Sequence, residues 1–147
     1  DAERLFALAE RTGRLLELEK LCRTRALTSA SRHLQPGTKL FLNTSAQAIA
    51  IFDRVGSDNL KLQYDIYHMQ RMEGELAKTI ERLFPRIAHF QIAGNPNRTE
   101  PDRGEINFPF LYDLIDGLGY TGWIGAEYRP VKTTAEGLGW LAPYRHA

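Results

Sequence analysis

The stretch Gln63–Gln70, QYDIYHMQ, lies between a strand-like pattern and a helical one. Apolar and polar residues alternate over 59–64, which is typical of a β-strand, and a helical period follows Met69. A strand that leads through a loop into a helix forms one βα unit, and parallel α/β folds bind ligands where their strands end. The stretch therefore predicts that Asp65 and His68 lie at the ligand-binding end of a strand.

The rest of the chain repeats this alternation of strand and helix. Further short apolar strands are predicted at 15–18, 87–92 and 123–128. Helices are predicted at 2–12, 44–55, 74–84, 107–118 and from 133 onwards. The four βα units indicate an α/β fold with parallel strands, which suits either an open doubly wound sheet or part of a barrel. No Gly-x-Gly-x-x-Gly or phosphate-loop motif follows a strand, which counts against a nucleotide site.

The composition is that of one ordinary domain. The chain has 147 residues, a formal net charge of +1 and a single cysteine, Cys22. Balanced charge argues against nucleic acid as a partner, and the absence of a long apolar run argues against a membrane span. We expect a cytoplasmic protein. Because no methionine precedes Met69, the chain is expected to be a piece of a longer product, and segment 20–39, which follows neither period, indicates a flexible or abnormal insertion.

Oxygen-bearing side chains stand at or near the ends of all four predicted strands. They are Glu19, Asp65, Gln91 and Glu127. A single carboxylate at a strand end usually enters solvent, but four such residues at equivalent positions would surround one point in a parallel barrel. Hard oxygen donors of this kind suit Mg²⁺ or Mn²⁺ and suit soft metals poorly. The sequence therefore predicts a divalent metal site.

Several longer motifs carry a family resemblance. They are Phe41–Ala48, Gln63–Gln70, His89–Pro96 with Arg98, Gly104–Asn107 and Gly122–Tyr128. In this order and spacing they resemble the hydroxypyruvate isomerases, a family that includes the 2-oxo-tetronate isomerases and belongs to the xylose isomerase-like TIM barrels. The resemblance is close over about residues 40 to 142 and implies that residues 1–147 are the last four βα units, the C-terminal half, of a (β/α)8 barrel.

The resemblance also implies a chemistry and a role for each site residue. Family members of this kind interconvert hydroxypyruvate and tartronate semialdehyde, or a similar four-carbon 2-oxo acid, through an enediolate. The metal ligands carry over onto Glu19, Asp65, Gln91 and Glu127. Glu19 and Glu127 would also form the acid/base pair, whereas His68 and Arg98 would bind substrate. The implied cofactor is Mg²⁺ or Mn²⁺.

Several neighbouring residues are expected to have packing or structural roles. His89 is expected to face a helix instead of the site. Tyr64 and Tyr67 are expected to pack in the core, and Glu105 is expected to have a structural role, although it could orient Arg98.

The sequence also allows two other interpretations of the chain. The chain could be a noncatalytic half-barrel whose sheet edges must pair with a second copy or with a missing N-terminal half. A divergent member acting on abasic DNA or on sugars is disfavoured by the balanced charge and by Gln91, where many of those relatives have histidine.

Overall fold

The computed structural model describes residues 11–12 and 44–145 of the chain. The chain divides into two compact units, Asp1–Leu40 and Phe41–Ala147, and nearly all described residues belong to the second. The predicted strand at 15–18, the candidate ligand Glu19 and segment 20–39 lie outside the described residues.

Helices and strands alternate through the second unit. The α-helices are α1 (Ser45–Val55), α2 (Ile66–Met72), α3 (Leu76–Leu83) and α4 (Phe108–Gly117). The strands are β1 (Leu62–Asp65), β2 (Ile87–Ile92) and β3 (Ile124–Ala126), and 3₁₀ helices cover Phe84–Arg86 and Glu136–Tyr144. None of the helices in this part of the chain is long and apolar enough to cross a bilayer.

The three strands form one sheet in which every pairing is parallel. Strand β2 lies between β1 and β3. Asp65 on β1 is the Cα partner of Gln91 on β2, and Gln91 is the partner of Gly125 on β3. The predicted α/β class with parallel strands is confirmed, and the carboxyl ends of the strands share one edge of the sheet.

The two faces of this sheet differ in polarity. Tyr64 and Phe90 are Cα partners and are almost fully buried, at 1% and 0% exposure, on what we call the core face. Side chains alternate between the faces along a strand, so the neighbours of this pair lie on the opposite face. We call that opposite face the site face; its residues include Gln63, Asp65, His89 and Gln91.

Helices α2, α3 and α4 bury their apolar residues against the core face. Ile66, Ile80 and Ile115, one from each helix, are fully buried and belong to the same cluster as Phe90. The ring of Phe90 also packs edge-on against Tyr120, with centroids 4.9 Å apart. The core therefore anchors β2, the strand that carries Gln91.

Two of the predicted helix starts are confirmed by their capping bonds. The side chain of Thr44 accepts a hydrogen bond from the Gln47 amide at 3.3 Å, and that of Asn107 accepts one from the Phe110 amide at 3.3 Å. Helix α1 ends at Gly56, which adopts a φ of 63° that glycine tolerates best. The spacing of Thr44 and Gln47 also predicts a capping box with a reciprocal bond to the Gln47 side chain. The prediction of that reciprocal bond is wrong, because the Gln47 Oε1 has no hydrogen-bond partner among the described residues.

Several of the predicted elements differ in the structure. The strands predicted at 59–64 and 123–128 are shorter, Leu62–Asp65 and Ile124–Ala126, and two helices also differ. Helix α2 begins at Ile66, directly after β1, and not after Met69, because the Asp65 carboxylate caps it by accepting from the His68 amide at 3.1 Å. The spacing of Thr133 and Glu136 predicts a capping box at the start of the closing helix. The structure has this capping box, but the helix is a 3₁₀ helix. Two glycines and Pro143 disfavour a regular α-helix there.

The burial of Phe90 makes it a sensitive test of this core. Replacing Phe90 with alanine should lower the free energy of unfolding by about 3 to 5 kcal/mol, because the core cannot close fully around the space left. Urea denaturation measures the loss. Phe110→Ala is the matched control, since Phe110 is 53% exposed; equal losses in both variants would contradict the placement of the core.

Candidate active site

The strand pairing places two predicted ligands side by side. Asp65 ends β1 and its Cα partner is Gln91, so both side chains leave the site face at the same level. The Asp65 side chain is 15% exposed. Two oxygen-bearing side chains from adjacent strands therefore share one mostly buried position.

The third predicted ligand follows β3. The Glu127 amide donates to the Ile92 carbonyl at 3.0 Å, so Glu127 continues the β2–β3 pairing beyond the last residue of β3. By strand alternation Glu127 is on the same face as Gly125, the partner of Gln91. Asp65, Gln91 and Glu127 thus come together at the carboxyl edge of the sheet.

Arg98 is brought to the same edge and forms an ion pair with Glu127. Its Nη2 lies 3.0 Å from Glu127 Oε2, and its Nε donates to the Glu127 carbonyl at 3.4 Å. The Arg98 backbone has a φ of 55°, and its carbonyl accepts from the Arg129 amide at 2.7 Å. The guanidinium also lies 5.3 Å from the centroid of the Tyr67 ring. These contacts fix Arg98 beside the predicted ligands.

The position of Asp65 at this edge perturbs its carboxyl group. Burial raises the pKa of Asp65 above its usual value, and the charge of Glu127 adds to the rise. A hydrogen bond from the His68 amide and the nearby side chains of His68 and Arg98 oppose the rise. His68 Nε2 lies 3.8 Å from Asp65 Oδ2, with its side chain 49% exposed. Burial therefore has the largest effect on the pKa of this carboxyl.

The loop that carries Arg98 is held by a polar cluster. Asn95 donates from Nδ2 to Glu105 Oε1, which also accepts from Gln70 Nε2 at 3.3 Å, while the Glu105 amide donates to the Asn95 carbonyl at 3.0 Å. A Cβ on Gly104, which has a φ of 108°, would overlap the Asn95 backbone. Glu105 thus ties the loop to α2, which is the structural role expected of it.

The prediction for His89 is wrong. Its Nε2 would be 3.0 Å from a Cβ built on Gly125, close to the Cγ of Gln91, so the ring lies on the site face. The reason is the strand period: His89 is two residues from Gln91 and must share its face, while Phe90 takes the core face. Tyr67 is buried as predicted, but it also contacts Arg98.

Sequence reasoning missed two further polar residues. Gln63, two residues before Asp65, donates from Nε2 to Gln91 Oε1 at 2.6 Å. Glu100 is only 4% exposed and accepts from the Val131 amide at 2.9 Å, which ties the Arg98 loop to the segment after β3. The period of β1 could have revealed Gln63, whereas no local pattern indicates the Val131 contact.

The donor chemistry of this edge suits a hard divalent cation. Asp65, Gln91 and Glu127 offer oxygen atoms only, the set that Mg²⁺ and Mn²⁺ prefer. The described residues contain no group of three or more His, Cys, Asp or Glu side chains that could hold a metal, and the proposed set has only two carboxylates beside the Gln91 amide. Glu19, the fourth predicted ligand, lies outside the described residues.

Comparison with known proteins assigns the fold family. A model of the xylose isomerase-like TIM barrel family matches residues 4–144. The chain belongs to this family. The parallel sheet with its flanking helices is accordingly a part of a TIM barrel, as the sequence predicted.

Individual relatives show which kinds of protein in this family the chain resembles. The chain is 53% identical over 104 residues to a hydroxypyruvate isomerase from Escherichia coli (strain K12), and 53% identical over 104 residues to a 2-oxo-tetronate isomerase from Cupriavidus necator. In each case the match covers 71% of this chain and 40% of the relative. A solved structure titled as an AP endonuclease, family 2, from Brucella melitensis has a TM-score of 0.69 and 42% identity, covering 72% of this chain and 41% of that one. The chain therefore spans about 40% of the length of the curated relatives it matches.

Glu100 provides a pH-dependent test of how the Arg98 loop is held. The Val131 amide lowers the pKa of the Glu100 carboxyl in the folded state. Because the folded pKa lies below the unfolded value of about 4.3, the charge stabilises the fold above that pH and the gain disappears as the pH falls through the folded pKa. Glu100→Gln should therefore be less stable than the unaltered chain at neutral pH, and the gap should narrow in acid.

Urea denaturation between neutral pH and about pH 3 measures this gap, across the unfolded pKa of a glutamate. Asp113→Asn, which changes an exposed carboxylate on α4, is the control and should show little difference at any pH. A gap for Glu100→Gln that stays constant over the whole range would contradict the account.

Proposed function

We propose that this chain is the metal-binding half of an isomerase that interconverts hydroxypyruvate and tartronate semialdehyde, or a similar 2-oxo-tetronate. The observation that carries the proposal is the alignment of Asp65 with Gln91 on neighbouring strands, beside Glu127, within a chain that is 53% identical over 104 residues to a hydroxypyruvate isomerase. A cytoplasmic location is part of the same proposal.

The proposed cofactor is Mg²⁺ or Mn²⁺, held by Asp65, Gln91 and Glu127 together with Glu19. The oxygen donors fit such an ion, and two of them, Asp65 and Glu127, are carboxylates whose charge a cation would offset. When bound, the ion would polarise the substrate carbonyl and favour the enediolate.

The carboxylates of Glu19 and Glu127 would move the proton. One takes it from the hydroxyl-bearing carbon of the substrate, and the other returns a proton to the neighbouring carbonyl carbon, while the hydroxyl hydrogen passes from the oxygen of the first carbon to the oxygen of the second. The double bond to oxygen thus changes carbon without net oxidation. The half-exposed Glu127 side chain is accessible to a substrate at the edge of the sheet.

Arg98 and His68 would orient the substrate. A guanidinium can bind a carboxylate through two parallel hydrogen bonds, and Arg98 is held at the site edge by Glu127 and the Tyr67 ring. His68 is exposed beside Asp65 and could donate to a substrate oxygen. A 2-oxo acid presents both the carboxylate and the oxygen that these two groups require.

Metal binding tests the proposed ligands directly. The unaltered chain should bind Mn²⁺, observed as loss of the free Mn²⁺ signal in electron paramagnetic resonance. Asp65→Asn and Glu127→Gln should each weaken binding by more than the ~10- to 100-fold loss that is usual for residues behind the ligands. Asparagine also caps helices, so Asp65→Asn should leave α2 intact.

Asp53→Asn is the matched control, because Asp53 is an exposed carboxylate that pairs with Arg86 on the outside of the unit. Unchanged Mn²⁺ affinity in Asp65→Asn or Glu127→Gln would contradict the ligand set. The chain alone should isomerise hydroxypyruvate poorly, since it spans only 40% of the relative's length; full metal-dependent turnover by a monomer would contradict that part.

The alternative is a noncatalytic half-barrel that pairs with another chain. Among the described strands, β1 and β3 each have one neighbour, and Trp123, immediately before β3, is 86% exposed. Unpaired strand edges favour association. A homo-oligomer, or a complex with an N-terminal half-barrel, would supply neighbouring strands for these unpaired edges.

Sedimentation velocity separates this alternative from a self-contained unit. If two copies close a barrel, the purified chain should sediment as a dimer, and Trp123→Lys should shift it towards monomer. A compact monomer that stays well folded over a wide concentration range would contradict pairing between copies.

A further inference from the structure

A hydrogen bond behind the proposed metal site has no role in the mechanism above. Gln63 Nε2 donates to Gln91 Oε1 at 2.6 Å, and both side chains are partly buried. Both residues lie on the site face, Gln63 on β1 and Gln91 on β2. The bond therefore joins a residue of no assigned function to a proposed metal ligand.

On the site face, Gln63 precedes Asp65 by two residues on β1 and is therefore farther from the carboxyl edge than the proposed ligands. Its Cα partner is His89, whereas the Cα partner of Gln91 is Asp65, one step closer to the carboxyl edge. A diagonal contact of this kind is within reach of long side chains on adjacent strands. Gln63 can thus support Gln91 from behind without entering the site.

The amide of Gln91 has two unlike ends, and only one of them can bind a cation. Its oxygen has two acceptor positions, while its nitrogen carries two hydrogens and no free acceptor. A donor from Gln63 is satisfied only by the oxygen of Gln91, and the second acceptor position of that oxygen remains free. The bond therefore selects one orientation of an amide that would otherwise rotate about its last torsion angle.

A packing observation supports a fixed position of the Gln91 side chain. Gly125, the partner of Gln91 on β3, would place a Cβ 3.6 Å from the Gln91 Cγ and 3.0 Å from His89 Nε2, so the side chains fill the space that the glycine leaves. The Gln91 stem therefore has little room to move, and the bond from Gln63 acts on its terminal amide.

We propose that Gln63 is a positioning residue that holds the Gln91 amide so that its oxygen is available to the cation. This inference rests on the proposed function, because it requires Gln91 to be a ligand. It extends that proposal to the residue that determines which end of the ligand is presented.

The affinity of the full chain for Mn²⁺, measured by electron paramagnetic resonance, tests the inference without any turnover. Gln63→Leu keeps the size of the side chain but removes the donor, and it should weaken Mn²⁺ binding about tenfold, as expected for a residue that orients a ligand. Circular dichroism and thermal unfolding verify that the variant is folded.

A Gln91→Glu background shows whether Gln63→Leu acts on the orientation of the residue 91 side chain or on packing. In Gln91→Glu both terminal atoms are oxygens, so no wrong end exists to be presented. Adding Gln63→Leu to Gln91→Glu should therefore cost about twofold or less, in contrast to the tenfold loss with Gln91. A purely structural role of Gln63 would give equal losses in the two backgrounds.

Results that contradict the role of Gln63 differ from results that contradict the proposed ligand set. Equal losses in the two backgrounds, or unchanged affinity in Gln63→Leu beside normal binding by the unaltered chain, would overturn the role of Gln63 and leave the ligand set intact. Absence of Mn²⁺ binding by the unaltered chain would overturn the ligand set and the role of Gln63 with it.

Discussion

The site depends on the parallel register of three strands. Pairing of β1 with β2 places Asp65 beside Gln91, and the hydrogen bond from the Glu127 amide to the Ile92 carbonyl extends the same register past β3. A slip of one residue on any strand would turn its ligand to the opposite face. The buried contact between Tyr64 and Phe90 on the core face opposes such a slip, so the core and the site are specified together.

Around these strands the loop contacts supply positive charge to an edge that is otherwise acidic. Arg98 reaches Glu127 because its loop is tied to α2 through Glu105 and to the segment after β3 through Glu100. Burial at the same edge raises the pKa of Asp65. A cation and an anionic substrate would have complementary positions there, which is the arrangement that enediolate chemistry requires.

Local signals made much of the fold predictable, whereas contacts between distant segments were not. Thr44 and Asn107 cap helices through bonds to residues three positions ahead, and such spacing is visible in the sequence. Asp65 also accepts a bond from an amide three positions ahead, that of His68. The sequence indicates Asp65 as a ligand and gives no separate sign of this cap, so it does not predict the start of α2. The positions of the three proposed ligands could be predicted because each lies at or just beyond the carboxyl end of a strand. Contacts of Arg98 and Gln63 depend on which strands and loops become neighbours, and no periodicity encodes that.

The central claim is that side chains from three separate strands hold one divalent ion. Anomalous diffraction at the manganese edge, from crystals of the 147-residue chain grown with Mn²⁺, tests it most directly. The account predicts a single peak about 2 Å from oxygen atoms of Asp65, Gln91 and Glu127. Manganese bound elsewhere on the chain, with none at this edge of the sheet, would contradict it.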